Sequence, residues 1–230
     1  MFISLLVEEY RKLPKLRRGA DAELWHQRFK KGVRRFCRRV SQRYNEGTLQ
    51  RLLESESRSN REAAVLALGS LGTSGSNPLL ARMLHDEDET VASLAVDALW
   101  ELWFRGGTED QNRQLQSILH LTDSHQAMIE LNRLLQEAPD FVEVINQRAI
   151  LHFQHGEFRR SLEDCQRVVE RNPFHFGAQC GIGHCYLKMR MPNAAIHAYR
   201  QALKINPTLS HLQATIQDLQ QSVNETDESF

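Results

Sequence analysis

Three prolines set the register of this chain. Pro139, Pro173 and Pro207 stand 34 residues apart, twice over. The residues between them keep step. Ala127, Ser161 and Ala195 are small at one phase; Leu131, Cys165 and Tyr199 follow four residues later, and Leu134, Val168 and Ala202 three after that. Ala149 and Gly183 are small at an earlier phase, again 34 apart. A fixed period of this length predicts a stack of helical hairpins. Two helices of about three to four turns and their short turns fill such a unit. Small residues let the two helices approach closely. Each hairpin leaves an apolar face that the next must cover. The prolines end the second helix of each unit, because Pro lacks a backbone donor and biases the preceding residue away from α.

The register resembles the tetratricopeptide repeat. In 142–175 the small residue of the first helix falls on Ala149, the turn glycine on Gly156, the aromatic after it on Phe158 and the small residue of the second helix on Ser161, with Pro173 closing the unit. In 176–209 the matching residues are Ile182-Gly183, Tyr186, Ala195, Tyr199, Ala202 and Pro207. The departures are Ile145 and Gln179 for the large aromatic, Arg190 for the turn glycine and Pro192 for the aromatic after it. The unit 108–141 is degenerate in its first helix and follows the pattern in its second, Gln126 to Ala138. Leu209, Leu212, Ile216 and Leu219 form one face of a helix to Val223, in the place of the solvating helix that caps such arrays. The acidic stretch 224–230 reads as a disordered tail.

A second periodicity precedes the first. Leu53, Ala64 and Leu68 recur as Leu84, Ala95 and Leu99, a shift of 31. Asp86-Glu87-Asp88 followed by Val91, Ala95, Ala98 and Leu99 resembles the acidic turn and second helix of a HEAT-type repeat. Hairpins are expected at 48–71 and 76–105, joined by the loop Gly72 to Ser76. Before them, Trp25, Phe29, Val33, Phe36, Val40 and Tyr44 form one apolar stripe on a helix capped by Asp21. A short helix is expected from Ile3 to Lys12, broken by Pro14. The helix from Glu89 to Phe104 is apolar nearly all round and is expected to be covered on more than one side, by the HEAT-like helices and by helix 109–121. That arrangement fuses the two halves, with Gly106-Gly107 as a turn. The alternative for this helix is an exposed apolar patch that takes a partner.

These readings give an all-α chain, a right-handed α-solenoid of HEAT-like hairpins followed by tetratricopeptide-like repeats. The expected domains are an N-terminal segment 1–20, the basic helix and HEAT-like hairpins 21–107, the repeats and capping helix 108–223, and the tail 224–230. Four scattered cysteines, Cys37, Cys165, Cys180 and Cys185, make no disulfide framework and point to a reducing, cytoplasmic setting. No apolar run is long enough for a transmembrane helix. Phe2 to Val7 meets Glu8 and Glu9 at once and lacks the basic lead and cleavage site of a signal peptide.

Catalysis finds no foothold in the sequence. Gly-Ile-Gly at 181–183 lies inside a helix and lacks the preceding strand of a dinucleotide loop. The acids at 86–89 fall in a turn, and no Ser–His–Asp ordering or nucleophile elbow appears. Cys180, His184, Cys185 and His175 lack zinc-ligand spacing, so no metal and no cofactor is expected. The tetratricopeptide resemblance implies instead a groove lined by the first helix of each unit, taking an extended peptide or a helix of a partner protein. By position its residues are Glu143, Asn146, Gln147, Ile150, Phe153 and Gln154, then Cys180, Gly181, His184, Leu187 and Lys188. Some relatives clamp a C-terminal carboxylate with cations at set positions. Here those positions hold Gln147, Gly177 and Gly181, which disfavours that mode. The plain alternative is that all are ordinary solvated helix residues.

Net charge is zero, but its distribution is uneven. Residues 1–60 hold 15 Lys/Arg against 7 Asp/Glu, whereas 61–110 hold 3 against 9. Arg28, Lys30, Lys31, Arg34, Arg35, Arg38, Arg39 and Arg43 stand without an acid between them. Three readings stay open for this basic helix: it grips nucleic-acid phosphates, it lies on an anionic membrane, or it is a solvated outer face, facing the acidic 86–89 loop of another copy. No known nucleic-acid motif accompanies it.

Overall fold

The computed structural model describes residues 4–15 and 21–227. It is all-helical among them, and the chain divides into two compact units, Met1–Leu102 and Trp103–Phe230.

The first unit begins with α1 (Leu5–Arg11) and the basic helix α2 (Ala22–Ser41). Ile3, expected to start the first helix, lies outside the described residues. The Ser4 hydroxyl accepts from the Val7 N–H and caps α1, and Asp21 caps α2 by accepting from Leu24 N at 3.1 Å. Phe36 and Val40 are buried, and α2 packs on α1 and on α4 (Arg58–Leu71). Two hairpins follow, α3 (Glu46–Leu52) with α4 and α5 (Asn77–Met83) with α6 (Glu89–Phe104), close to the ranges read from the 31-residue shift. Their helices cross closely: a Cβ added at Gly69 would stand 2.7 Å from the Ala98 backbone.

Polar side chains tie the turns of these hairpins together. The buried Arg61 guanidinium donates to both Asp86 carboxylate oxygens, at 2.7 and 2.9 Å, and to the carbonyls of Ser55 and Glu56. Asp88 accepts from the Thr90 and Val91 N–H groups and pairs with Arg58 at 2.8 Å. The acidic turn is therefore occupied by arginines of its own unit, and the reading that holds it ready for a second copy's basic helix loses its two aspartates. Nor does α6 present an apolar patch: Leu99 and Leu102 are buried, and Trp100 is half-buried.

In the second unit Trp103 is buried, stacked on His175 with ring centroids 4.1 Å apart, and Gly106 and Gly107 lie against the Phe141 ring. Three hairpins follow: α7 (Glu109–Leu119) with α8 (Ser124–Glu137), α9 (Val142–Gln154) with α10 (Phe158–Arg171), and α11 (Phe176–Lys188) with α12 (Pro192–Ile205). The helix α13 (Ser210–Asp227) closes the unit. Ala138, Asn172 and Asn206, each before a proline, leave the helix with extended φ of −135°, −133° and −129°. Asn172 and Asn206 then accept from the N–H two residues on, at 3.2 and 3.1 Å. The small phases sit where the period puts them: Ala127, Ser161 and Ala195 are buried, and the Ser161 hydroxyl donates to the Ala149 carbonyl at 2.8 Å.

The stretch 224–227 is a correction, while 228–230 of the expected tail lie outside the described residues. The helix α13 runs to Asp227, past the expected end at Val223. No Gly or Pro interrupts 210–227, and the i,i+4 bonds Ser222 to the Asp218 carbonyl and Gln221 to Glu225 carry the turns onward.

Candidate functional site: the first-helix face of the repeats

The face is built by α9 and α11, which pack side by side behind α10 and α12. Its residues occupy equivalent positions 34 apart, so Ile150 and Phe153 of α9 correspond to His184 and Leu187 of α11. Phe153 is half-buried, with its ring set edge-on to Phe158 at 5.3 Å and to His184 at 6.2 Å. His184 in turn meets Tyr199 edge-on at 5.4 Å. Around this aromatic row Ile150 is 41% exposed and Leu187 37% exposed. Gln154 and Lys188 are exposed, and Gly181 and Cys180 are half-buried.

His184 has an open outer edge, yet its ring is crowded by its aromatic neighbours. Loss of water, with the nearby His211 and Lys188, holds its pKa below the ordinary histidine value. Near neutral pH this site is therefore an uncharged aromatic rather than a cation. Burial pushes the Cys180 thiol up to about 11, so it packs as a small hydrophobe and is not poised as a nucleophile.

Two residues expected on this face lie beneath it. Glu143 is 0% exposed and Asn146 is 3% exposed. The Glu143 carboxylate accepts from Asn146 at 2.9 Å, from Gln147 at 2.7 Å and from His175 Nε2 at 3.1 Å. His175 Nδ1 accepts from the Ala178 N–H and caps α11, which leaves the Nε2 proton for Glu143. This buried polar cluster, stacked under Trp103, ties α9 to the start of α11; Glu143 and Asn146 support the face and do not line it. The sequence carried one sign of it. His175 falls at the phase of Phe141 and Leu209, a polar residue where the neighbouring units are apolar.

The other side of the α9–α10 hairpin holds a second cluster. Arg148 donates to both Asp164 oxygens at 2.7 Å and to the Asn132 side-chain oxygen Oδ1 at 2.9 Å. Asp164 also receives Arg167 at 3.3 Å, and His152 Nδ1 lies 2.5 Å from Glu157. Cys185 donates to the Ser161 hydroxyl at 3.2 Å.

The basic residues belong to the first unit. Arg28, Lys31, Arg34, Arg35, Arg38 and Arg39 are exposed along α2, and Arg39 lies 3.6 Å from Glu9.

Comparison with known proteins agrees with this architecture. Residues 177–209 match the family described as the tetratricopeptide repeat, and residues 39–140 match HEAT repeats. Residues 39–140 are thus similar to HEAT repeats, and 177–209 to one tetratricopeptide unit. The HEAT match extends over α7 and α8, the unit whose first helix departs most from the 34-residue pattern. A TPR repeat-containing protein of Rhizobium etli is 25% identical over 132 residues, 56% of this chain; the chain spans 65% of that protein's length. Similar solved structures include the first tetratricopeptide domain of Spaghetti (RPAP3) bound to an HSP90 peptide, at 16% identity and TM-score 0.43, covering 50% of this chain and 89% of that one. YrrB, a tetratricopeptide protein with an unusual peptide-binding site, aligns at 17% identity and TM-score 0.42 over 80% of this chain and 90% of its own. Among the described residues no helix is long and apolar enough to cross a membrane.

Proposed function

We propose that this protein is a non-catalytic interaction scaffold whose α9–α11 face takes a peptide or helix of a partner protein. One observation supports the reading above the others: Ile150 and Leu187 stand exposed on neighbouring helices beside the half-buried Phe153 and the uncharged His184. Exposed apolar side chains grouped around an aromatic edge offer contact area that solvent alone does not reward. Gln147, Gly177 and Gly181 supply no cation where a carboxylate clamp needs one, so the segment taken is apolar with neutral polar neighbours rather than acidic. In this reading Gln147, held by Glu143, and the exposed Gln154 bond its backbone.

The test is peptide selection on the intact chain, repeated with Phe153→Ala/Leu187→Ala. Peptides enriched on the natural protein should be apolar at spaced positions and bind the double variant at least about tenfold more weakly, as loss of two interface anchors implies. The variant's helical circular dichroism and melting should persist. Equal affinity for the folded variant, or a selection that enriches nothing, discards the reading.

A further inference from the structure

We propose that the outer face of α2 is a separate binding site for the phosphate backbone of a double-stranded nucleic acid. The second half of this helix's apolar side is already used. Phe36 and Val40 are buried, and α2 packs against α1 and α4. Ahead of them Trp25, Phe29 and Val33 are half-buried and Leu24 is exposed, which leaves only a short apolar stretch on which the helix could lie in a membrane. What points outward is charge. At about 100° per residue, the cations from Arg28 to Arg39 sweep roughly half the helix circumference, along about 16 Å of its length. Arg28, Lys30, Lys31, Arg34, Arg35, Arg38 and Arg39 are all exposed.

Few of them are neutralised among the described residues. Glu9 lies 3.6 Å from Arg39, and Arg35 and Arg39 both help Lys12 to hold the Glu9 carboxyl below the usual range. Among the described residues no carboxylate comes within 4 Å of Arg28, Lys30, Lys31, Arg34 or Arg38. The acids that could have served, Asp86 and Asp88, are taken by Arg61 and Arg58. A row of unpaired like charges repels itself, and an anion of matching length relieves it.

The kind of anion follows from the residue types. Five of these seven cations are arginines, whose forked donors fit phosphate oxygens. Their rows advance by three and four residues, about 5 Å of rise per step, so they meet a line of phosphates rather than one headgroup. A duplex presents one charge per about 1.7 Å of axis. Single strands are held by stacking bases on open aromatic rings. Here the two aromatics nearest the row, Trp25 and Phe29, are half-buried and stacked on each other at 5.0 Å. Gln27, a candidate base reader, donates to Glu23. Contact is therefore with phosphates, without sequence preference.

The experiment measures fluorescence anisotropy of labelled 20-base-pair DNA and RNA duplexes with the full chain. Binding at 50 mM salt should weaken about 100-fold by 200 mM, the slope for about four phosphate contacts. The quadruple variant Arg28→Glu/Lys31→Glu/Arg34→Glu/Arg38→Glu should lose binding, with its melting temperature kept, while replacement of Arg28, Arg34 and Arg38 by Lys should retain most of it. Binding of one duplex type alone names the source and supports the site. No binding at 50 mM salt overturns the proposal, and so does binding that the folded charge-reversed variant keeps. Polyglutamate or anionic vesicles bound through these residues in preference to either duplex overturns it equally.

Discussion

The repeats 142–175 and 176–209 share one backbone plan and fill it in two different ways. In the first, the buried Ala149 and Cys165 hold the small positions, and the hairpin is fastened by the Arg148–Asp164 ion pair. Thirty-four residues on, the same positions hold Gly183, Tyr199, Ile182 and Ala198. There the fastening is volume: a Cβ on Gly183 would stand 2.4 Å from the Tyr199 ring, so the ring fills the space a side chain would have taken. One hairpin exchanges a large side chain for small ones plus a salt bridge; the other exchanges the salt bridge for a buried phenol. Helical hairpins of this type constrain total interior volume and hydrogen-bond satisfaction, and leave open which residue meets which demand.

Mutations can break this contrast. Tyr199→Ala should cost about 4 kcal/mol, as removal of a fully buried aromatic does, because Gly183 opposite has nothing with which to close the cavity. The equivalent Cys165→Ala should cost about 1 kcal/mol, since the change removes only one buried sulfur. Urea unfolding of the two variants reads the difference; equal losses would mean that the two hairpins are packed alike after all.

The ion pair sharpens the comparison at the next size down. Arg148→Ala strands the Asp164 carboxylate, buried and left with Arg167 at 3.3 Å, and should destabilise by about 3 kcal/mol. The double change Arg148→Ile/Asp164→Ala rebuilds the arrangement of the second repeat and should cost only about 1 kcal/mol, because no charge is left unpaired. A double variant worse than the single one would show that the pair contributes net attraction beyond its own desolvation.

Much of this was legible from residue size. Ala149, Gly183, Ser161 and Ala195 announce close helix approach, and the prolines mark where each hairpin ends; both signals are local and repeat. The HEAT-like hairpins were legible for the same reason, from Leu53, Ala64 and Leu68 and their copies 31 residues on. What resisted reading was polar and non-local. Glu143 and Asn146 sit at positions that face a groove by helical phase alone. They are buried here alongside His175, which arrives from 32 residues away to donate its Nε2 proton to Glu143. No periodicity encodes that bond; it appears only as a histidine at an otherwise apolar phase. The Arg61–Asp86 pair is similar, since charge counting shows an acidic turn but not the arginine already committed to it.

The smallest difference between the repeats is also the cleanest. Both first helices end in the same way. The Gly156 N–H donates to the Phe153 carbonyl at 3.0 Å and the Glu157 N–H to the His152 carbonyl at 2.9 Å; Arg190 and Met191 make the same bonds to Leu187 and Tyr186 at 3.1 and 2.9 Å. This closure needs a left-handed residue, and Gly156 has φ of 77° and Arg190 of 59°. Glycine adopts that conformation without steric cost, whereas a residue with a Cβ gives up about 1 kcal/mol. Arg190→Gly should therefore stabilise the chain by up to about 1 kcal/mol, the gain reduced by the freedom glycine adds to the unfolded state. Gly156→Ala should lose about the same amount for a purely conformational reason, because nothing lies within 4 Å of the added carbon. Thermal melts of both variants should move in opposite directions by a few degrees. Should Arg190→Gly instead lower the melting temperature, the arginine side chain must hold the turn by a contact that outweighs its strained backbone.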